Sequence, residues 1–123
     1  MSSSAYEEAE AFHYGGWPAE SEIVVRCLEA VVAPAFGIRP EAMQSARRGR
    51  AEEAFARQVA MYLAHTRLGL PFAHVGACFG RDRTTAAHAC RMVEEKREDP
   101  QIDAILDHME KAVDLLPAMT RSE

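Results

Sequence analysis

A dense group of polar side chains follows a single glycine in the middle of the sequence. After Gly80 come, in order, Arg81, Asp82, Arg83, Thr84 and Thr85. Arginine can donate two hydrogen bonds to guanine, aspartate can accept one from cytosine, and threonine offers a methyl group and a hydroxyl to a base edge. If these residues begin a helix, its unpaired amides add partial positive charge that favours phosphate. The residue types therefore favour contact with a nucleic acid.

Each of these residues also has a purely structural interpretation. Asp82 can serve only as the N-cap of a helix, and the threonines can satisfy first-turn amides. The arginines can simply be solvated, and His88, one turn further on, can be a packed core histidine. His65 and His74 are expected at the surface.

The polar group lies between two segments with helical patterns. A short helix is predicted over Pro71–Cys78, and a longer one from about Asp82 or Arg83 to Glu98. Between them, Gly80 is expected to take a positive φ, which glycine reaches without steric cost. A short helix, a tight turn and a second helix with a polar start form the pattern of a helix-turn-helix, whose second helix enters the major groove of DNA.

The rest of the sequence predicts four further helices and shows no clear pattern typical of a β-strand. Their expected ranges are a start near 18–21 with a stop at Gly37, then 41–45 after Pro40, 51–68, and 102–116 after a break at Asp99-Pro100. About six helices joined by short loops predict an all-α fold. The expected domain spans residues 20–118, between a flexible tail at 1–19 and a short C-terminal tail at 119–123.

Charge is unevenly distributed along the chain. Residues 1–46 carry a net charge of −5, residues 47–97 of +5, and residues 98–123 of −5. A basic block between acidic flanks fits either a surface that binds a polyanion or a solvated basic face. Within the block, the run Arg47-Arg48-Gly49-Arg50 is either a plain loop or an arm for a narrow A·T-rich minor groove.

Composition argues against several other classes. The three cysteines, Cys27, Cys78 and Cys90, form no CxxC pair, so they predict neither a disulfide framework nor a metal site and are expected to be small buried thiols. No apolar run reaches membrane-span length and the N-terminus is acidic rather than signal-like, so the expected location is the cytoplasm. An enzyme is the least favoured class, because Cys90 and His88 are two positions apart on one helix and point to different faces.

Three segments in order resemble the C-terminal DNA-binding domain (domain IV) of the bacterial replication initiator DnaA. They are RQVAMYLA (57–64), GACFGRDRTT (76–85) and HACR followed by VE (88–91 and 93–94), against the family pattern RQ-x-A-M-x-L, FGGRDHTT and H-A-x-[RK]. The resemblance covers about Ser21 to Leu116. It implies a Trp-repressor-like helix-turn-helix fold, binding to double-stranded DNA at the boxes that DnaA reads, and a role in regulating replication initiation or transcription.

The resemblance also implies roles for individual positions. It places a first group in or near the major groove: Arg81, Asp82, Arg83, Thr84, Thr85 and His88. It places a second group on the DNA backbone or in the minor groove: Arg47, Arg48, Arg50, Arg57 and Arg91. No catalytic residue, cofactor or metal is implied.

The sequence departs from the family pattern at several points. It holds no G-x-x-x-x-G-K-[ST] loop, so no nucleotide is expected. Gly80 stands alone where the family has two glycines, which shortens the turn. Arg83 replaces the family's histidine, which shifts base preference toward guanine or converts a base contact into a phosphate contact. Glu52 and Glu53 follow the basic run and repel phosphate, and Met92 removes an expected basic contact.

A second hypothesis is a protein-interaction module that keeps the fold and has lost specific DNA binding. It would hold a basic partner through the acidic N-terminal tail or through the last helix. The last helix carries an acidic stripe, which is otherwise an ordinary solvated face: Asp103, Asp107, Glu110 and Asp114.

Overall fold

The computed structural model describes residues 12–13, 17–44 and 51–116, with side chains described for 21–43 and 51–116. The described elements are, in chain order, strands β1 (Phe12–His13) and β2 (Trp17–Pro18), helix α1 (Ala19–Ala35), a 3₁₀-helix (Pro40–Gln44), and helices α2 (Ala51–Thr66), α3 (Phe72–Cys78), α4 (Arg83–Lys96) and α5 (Pro100–Asp114). The predicted all-α class with about six helices is confirmed by this architecture.

One short antiparallel pairing was not predicted. β1 and β2 pair Phe12 with Pro18 and His13 with Trp17, inside the segment expected to be a tail. A strand of two residues is too short for the alternation of apolar and polar residues that identifies strands in a sequence. Residues 1–11, 14–16 and 117–123 lie outside the described part, so the two tails and the domain limits at 20 and 118 stay predictions.

The helix boundaries follow from local chemistry. Asp99 is the N-cap of α5 and accepts a hydrogen bond from the Gln101 amide at 2.9 Å, while Pro100 occupies the first turn. Proline fits that position because the first-turn amide has no helical partner. The predicted break at Asp99-Pro100 is therefore also a helix start, and α5 begins two residues earlier than the apolar spacing predicted.

Helix α2 forms the centre of the core. It packs against α1, α3 and α4, and the run 59–64 is buried on all sides, with Val59 and Leu63 fully inaccessible. A helix buried all round carries little amphipathic signal, so the sequence identified only its inner stripe. Helices α1 and α4 are apolar on one face and complete the core with Leu28, Val32, Ala86 and Val93.

The expected burial of the cysteines is wrong for Cys27, which is exposed. Ile23 and Ile105 continue the apolar spacing of α1 and α5, yet they are 57% and 46% exposed. Thr66, the last residue of α2, is exposed as well. The helical spacing at these positions extends past the residues that are buried against another helix. Among the described residues, no helix is both long and apolar enough to cross a bilayer.

Candidate nucleic-acid interface

The turn between α3 and α4 is tight and held by the backbone. Gly80 has a φ of 68°, as predicted, and its amide donates to the Ala77 carbonyl at 3.2 Å. The Arg81 amide donates to the Gly76 carbonyl at 2.7 Å. These bonds close the end of α3 and direct the chain into α4 within four residues. Helices α3 and α4 also pack against each other, which completes a helix-turn-helix.

Gly76, inside α3, allows the two helices to approach closely. A Cβ atom at this position would lie 2.7 Å from both the Arg81 and Asp82 carbonyl oxygens. Such a contact is too short, so any side chain would displace the turn. Sequence reasoning overlooked this residue, although an isolated glycine inside a helical pattern is a recognised sign of close backbone approach.

Asp82 caps the start of α4. Its carboxylate accepts a hydrogen bond from the Thr85 amide at 2.8 Å. Hydrogen bonds from the Thr85 backbone, and then from its side chain, lower the pKa of Asp82, so this carboxylate is charged at neutral pH. The capping interpretation of Asp82 is confirmed. A carboxylate has about four acceptor positions, so the bonds from Thr85 leave Asp82 further acceptor capacity for a ligand.

Residues 81–85, which comprise the last two residues of the turn and the first three of α4, are termed the tip. Four of its five residues are exposed, and Arg81 is half-buried with its Nη1 donating to the Phe79 carbonyl at 3.0 Å. His88 is exposed, so the core interpretation of this histidine is wrong. Arg91 is exposed and its Nη2 lies 3.4 Å from His88 Nδ1. The major-groove group predicted from the sequence therefore lies on one accessible end of α4.

Several of these residues surround one surface depression. It is lined by Asp82, Thr84, Thr85, Ala87, His88 and Arg91. A neighbouring depression shares Ala87 and Arg91 and continues toward His65 and Phe72. Small Ala87 at the centre keeps the surface low between longer polar side chains. This face of α4 can therefore admit a ligand edge and surround it with donors and acceptors.

Arg57 does not join this surface. It is only 7% exposed, and its Nε and Nη2 donate to the Met43 and Ala42 carbonyls, each at 3.3 Å. Burial first, and then the charge of Arg81, lowers its pKa. Arg57 thus fastens the 3₁₀-helix to α2, and this placement does not support the predicted contact with a DNA backbone.

Most other charges of the basic block are engaged within the protein. Arg97 donates to Asp103 and Asp107 at 2.6 Å each and to Glu110 at 2.8 Å. Arg67 pairs with Asp114. The ion pairs among the described side chains involve Arg26, Arg67 and Arg97 and leave out Arg83 and Arg91. Of the five described Lys and Arg side chains that are exposed and outside these ion pairs, Arg83 and Arg91 lie at or beside the start of α4; the others are Arg39, Lys96 and Lys111.

The same ion pairs involve the acidic stripe of α5, where two arginines offset half of its four negative charges. All four of its carboxylates are bound by Arg97 or Arg67. These intramolecular contacts hold α5 in place. Arg47, Arg48 and Arg50 lie outside the described residues, and so does most of the acidic N-terminal segment.

Among the described side chains, Cys78 and Cys90 are buried, and so is His74. Burial raises the pKa of the Cys78 and Cys90 thiols to about 11 each, so both stay protonated at neutral pH. His74 is 3% exposed and burial lowers its pKa, so the predicted surface position is wrong. His65 is half-buried and stacks on Phe72 at 4.0 Å between ring centroids. Among the described residues, no cluster of three or more His, Cys, Asp or Glu side chains could hold a metal ion.

A short helix, a glycine turn and a second helix with an exposed polar start define a helix-turn-helix protein, a class that binds DNA through the second helix. Residues 26–93 match the family model for the bacterial DnaA protein helix-turn-helix. The chain belongs to this family, as the resemblance predicted.

Full-length initiators are among the similar proteins. The chromosomal replication initiator protein DnaA of Thermodesulfovibrio yellowstonii is 32% identical over 93 residues, which are 74% of this chain and 21% of that protein. DnaA 2 of Chlamydia trachomatis is 33% identical over 89 residues, 72% and 19% of the two chains. DnaA of Anaplasma marginale is 46% identical over 80 residues, 63% and 16%. The chain thus spans about a fifth of the length of these relatives.

Proposed function

We propose that this protein binds double-stranded DNA at a specific sequence, with the start of α4 seated in the major groove. The observation that carries the proposal is the arrangement at the tip. Arg83, Thr84 and Thr85 project from the first turn of α4, next to a depression that His88 and Arg91 also border. A helix entering the major groove by its N-terminal end presents its first-turn side chains to base edges.

The side chains at the tip suit different parts of the duplex. Arg83 supplies a fork of donors that fits the O6 and N7 atoms of guanine, and Thr84 and Thr85 can contact a thymine methyl or a base acceptor. Asp82 is ionised, so it is repelled by phosphate and favours the exocyclic amine of cytosine. His88 and Arg91 lie further along α4, where they can reach the phosphates that flank the groove.

Electrostatics supports the same orientation. The helix start adds partial positive charge to that of the arginines at the tip, whereas the other described arginines are mostly paired or buried. We also propose that Arg47, Arg48 and Arg50 contact the backbone or the minor groove beside the site. Arg57 is left out of this interface because it is buried.

The biological role that fits is regulation of replication initiation or of transcription. The relatives are named chromosomal replication initiators, and the part of them that this chain matches carries their helix-turn-helix. Such a role would place the protein in the cytoplasm, where bacterial chromosomes lie.

An unbiased selection tests this proposal. The purified protein is offered a pool of random duplexes at about 0.15 M salt, and bound molecules are sequenced over several rounds. We expect a short consensus that includes guanine, and loss of its enrichment in Arg83→Ala. Lys111→Ala is the control, because it removes one exposed positive charge on α5. Recovery of no consensus, or equal enrichment with Arg83→Ala, would overturn the proposal.

A further inference from the structure

A charged side chain from α1 closes the end of the first helix of the motif. Arg26 Nη2 donates to the Cys78 carbonyl at 2.9 Å. Cys78 is the last residue of α3, and the last carbonyls of a helix have no partner inside it. The guanidinium thus provides a charge-assisted bond directly before the turn that leads to the tip.

Glu29 holds this guanidinium in place. Glu29 is 2% exposed, and its Oε1 lies 3.2 Å from Arg26 Nε. A more exposed carboxylate, Glu22, lies 3.8 Å from Arg26 Nη1. A buried carboxylate is costly unless it is paired. The ion pair with Glu29 favours an orientation of Arg26 that reaches α3, although Arg26 Nε itself makes no hydrogen bond to any described residue.

Arg26 also contacts the turn between α3 and α4, at Phe79. The Phe79 ring is buried, and the Arg26 guanidinium carbon lies 5.8 Å from its centroid. The Phe79 carbonyl accepts from Arg81. Successive carbonyls at Cys78 and Phe79 are therefore each bound by a guanidinium, one from α1 and one from the tip. Gly76 is also packed closely against the turn, since a Cβ there would lie 2.7 Å from the Arg81 and Asp82 carbonyl oxygens. Together these contacts restrict the orientation of the turn that leads into α4.

We propose that Arg26 and Glu29 are positioning residues that set the orientation of the tip and so increase discrimination between DNA sequences. This inference rests on the proposed function. A bidentate contact with a base tolerates little tilt, whereas attraction to phosphate is far less directional. Loosening the pair should therefore weaken binding to the best sequence more than binding to other sequences.

The test compares discrimination ratios. For each variant, the Kd for a duplex with one altered consensus base pair is divided by the Kd for the consensus duplex recovered by selection. Arg26→Lys keeps the charge but replaces the planar fork with a single ammonium group. Glu29→Gln keeps the shape and removes the charge. Val113→Ala, a core truncation in α5, is the control for general loss of stability, and thermal melting places all variants on one stability scale.

We expect Arg26→Lys and Glu29→Gln to lower the ratio by about tenfold, within the usual effect of one mismatched base pair, while Val113→Ala keeps it. If Arg26→Lys does not fold, Glu29→Gln decides. A ratio that is unchanged in Glu29→Gln, or that falls equally in Val113→Ala, overturns the inference and leaves the proposed function standing. If the wild-type protein binds no duplex, the proposed function fails and this inference fails with it.

Discussion

The carboxylate of Asp82 accepts a hydrogen bond at 2.8 Å from the backbone amide of Thr85, three residues further on. Both residues belong to the group predicted to contact DNA, and together they also begin α4. The side chains that would read bases are therefore held by the same bond that starts the helix presenting them. The hydrogen bond that stabilises the helix start therefore also orients the proposed binding surface.

Replacing the N-cap Asp82 with alanine should lower the thermal stability of the protein, whereas replacing it with asparagine should not. We expect Asp82→Ala to lower the melting temperature by a few degrees, because the Thr85 amide loses its acceptor, and Asp82→Asn to stay close to the wild type, since asparagine is an equally good N-cap. Circular dichroism melting measures both. Equal losses in the two variants would show that the charge, rather than the cap, is what matters.

Arg97 should contribute more to stability than the exposed Arg67. Its side chain is 17% exposed and binds three carboxylates of α5, with Tyr62 Oη at 3.2 Å. We expect Arg97→Met to lower the free energy of unfolding by about 2–3 kcal/mol, because Glu110 keeps its charge in a half-buried place. Urea unfolding provides the measurement.

The matched control for Arg97 is Arg67→Met, which removes the exposed pair with Asp114. Exposed pairs contribute about 0–1 kcal/mol. If both variants lose the same free energy, the ion cluster on α5 has no special role in holding that helix.

Alanine substitution should lower the free energy of unfolding by different amounts at Gly76 and Gly80, the two glycines of the helix-turn-helix. At Gly80 nothing lies within 4 Å of a new Cβ, so only the φ of 68° is strained and the cost should be about 1 kcal/mol. At Gly76 the new Cβ meets two backbone carbonyls at 2.7 Å, and overpacking of this kind costs about 1–3 kcal/mol. Unfolding measurements on both variants should rank Gly76→Ala as the more destabilised, and the reverse order would be inconsistent with the close approach of α3 and the turn.

One thiol should react in the native protein and three in the unfolded chain. Cys27 is exposed, whereas Cys78 and Cys90 are buried and their pKa values are raised to about 11. A colorimetric disulfide reagent at about pH 8 should therefore titrate Cys27 quickly and the other two only after denaturant is added. Cys27→Ser should abolish the fast phase. Fast reaction of a second thiol would contradict the burial of α3 and α4 against the core.

The helical spacing of apolar residues and the glycines, prolines and capping residues between the helices were sufficient to predict the all-α fold. The positive φ of Gly80, the helix start at Asp82 and the approximate ranges of α2 and α4 all follow from residue type and spacing along the chain. The family resemblance covered the same segments and is confirmed. Contacts between distant segments were not predictable, since a lone sequence does not show which arginine meets which carboxylate.

Arg57, His74 and Arg26 illustrate that limit. Arg57 lies in the basic block, so the sequence predicts an exposed charge. In the structure it is buried and donates hydrogen bonds to two carbonyls of the 3₁₀-helix. His74 follows Phe72 in a short helix whose buried face could not be assigned from seven residues. Arg26 has an ordinary place on an amphipathic helix, and only the packing of α1 against the end of α3 gives it a partner.

The most direct measurement is the affinity for the selected consensus duplex, by fluorescence anisotropy at several salt concentrations, for the wild type, Arg83→Ala and the charge control Lys111→Ala. We predict that Arg83→Ala weakens consensus binding by about 1–3 kcal/mol and lowers discrimination against other sequences, while Lys111→Ala matches the wild type. We also predict a steep fall in affinity with salt, with about 0.9 added to the log–log slope for each phosphate neutralised. Equal affinity of wild type and Arg83→Ala for every duplex would contradict a DNA-reading role for the start of α4.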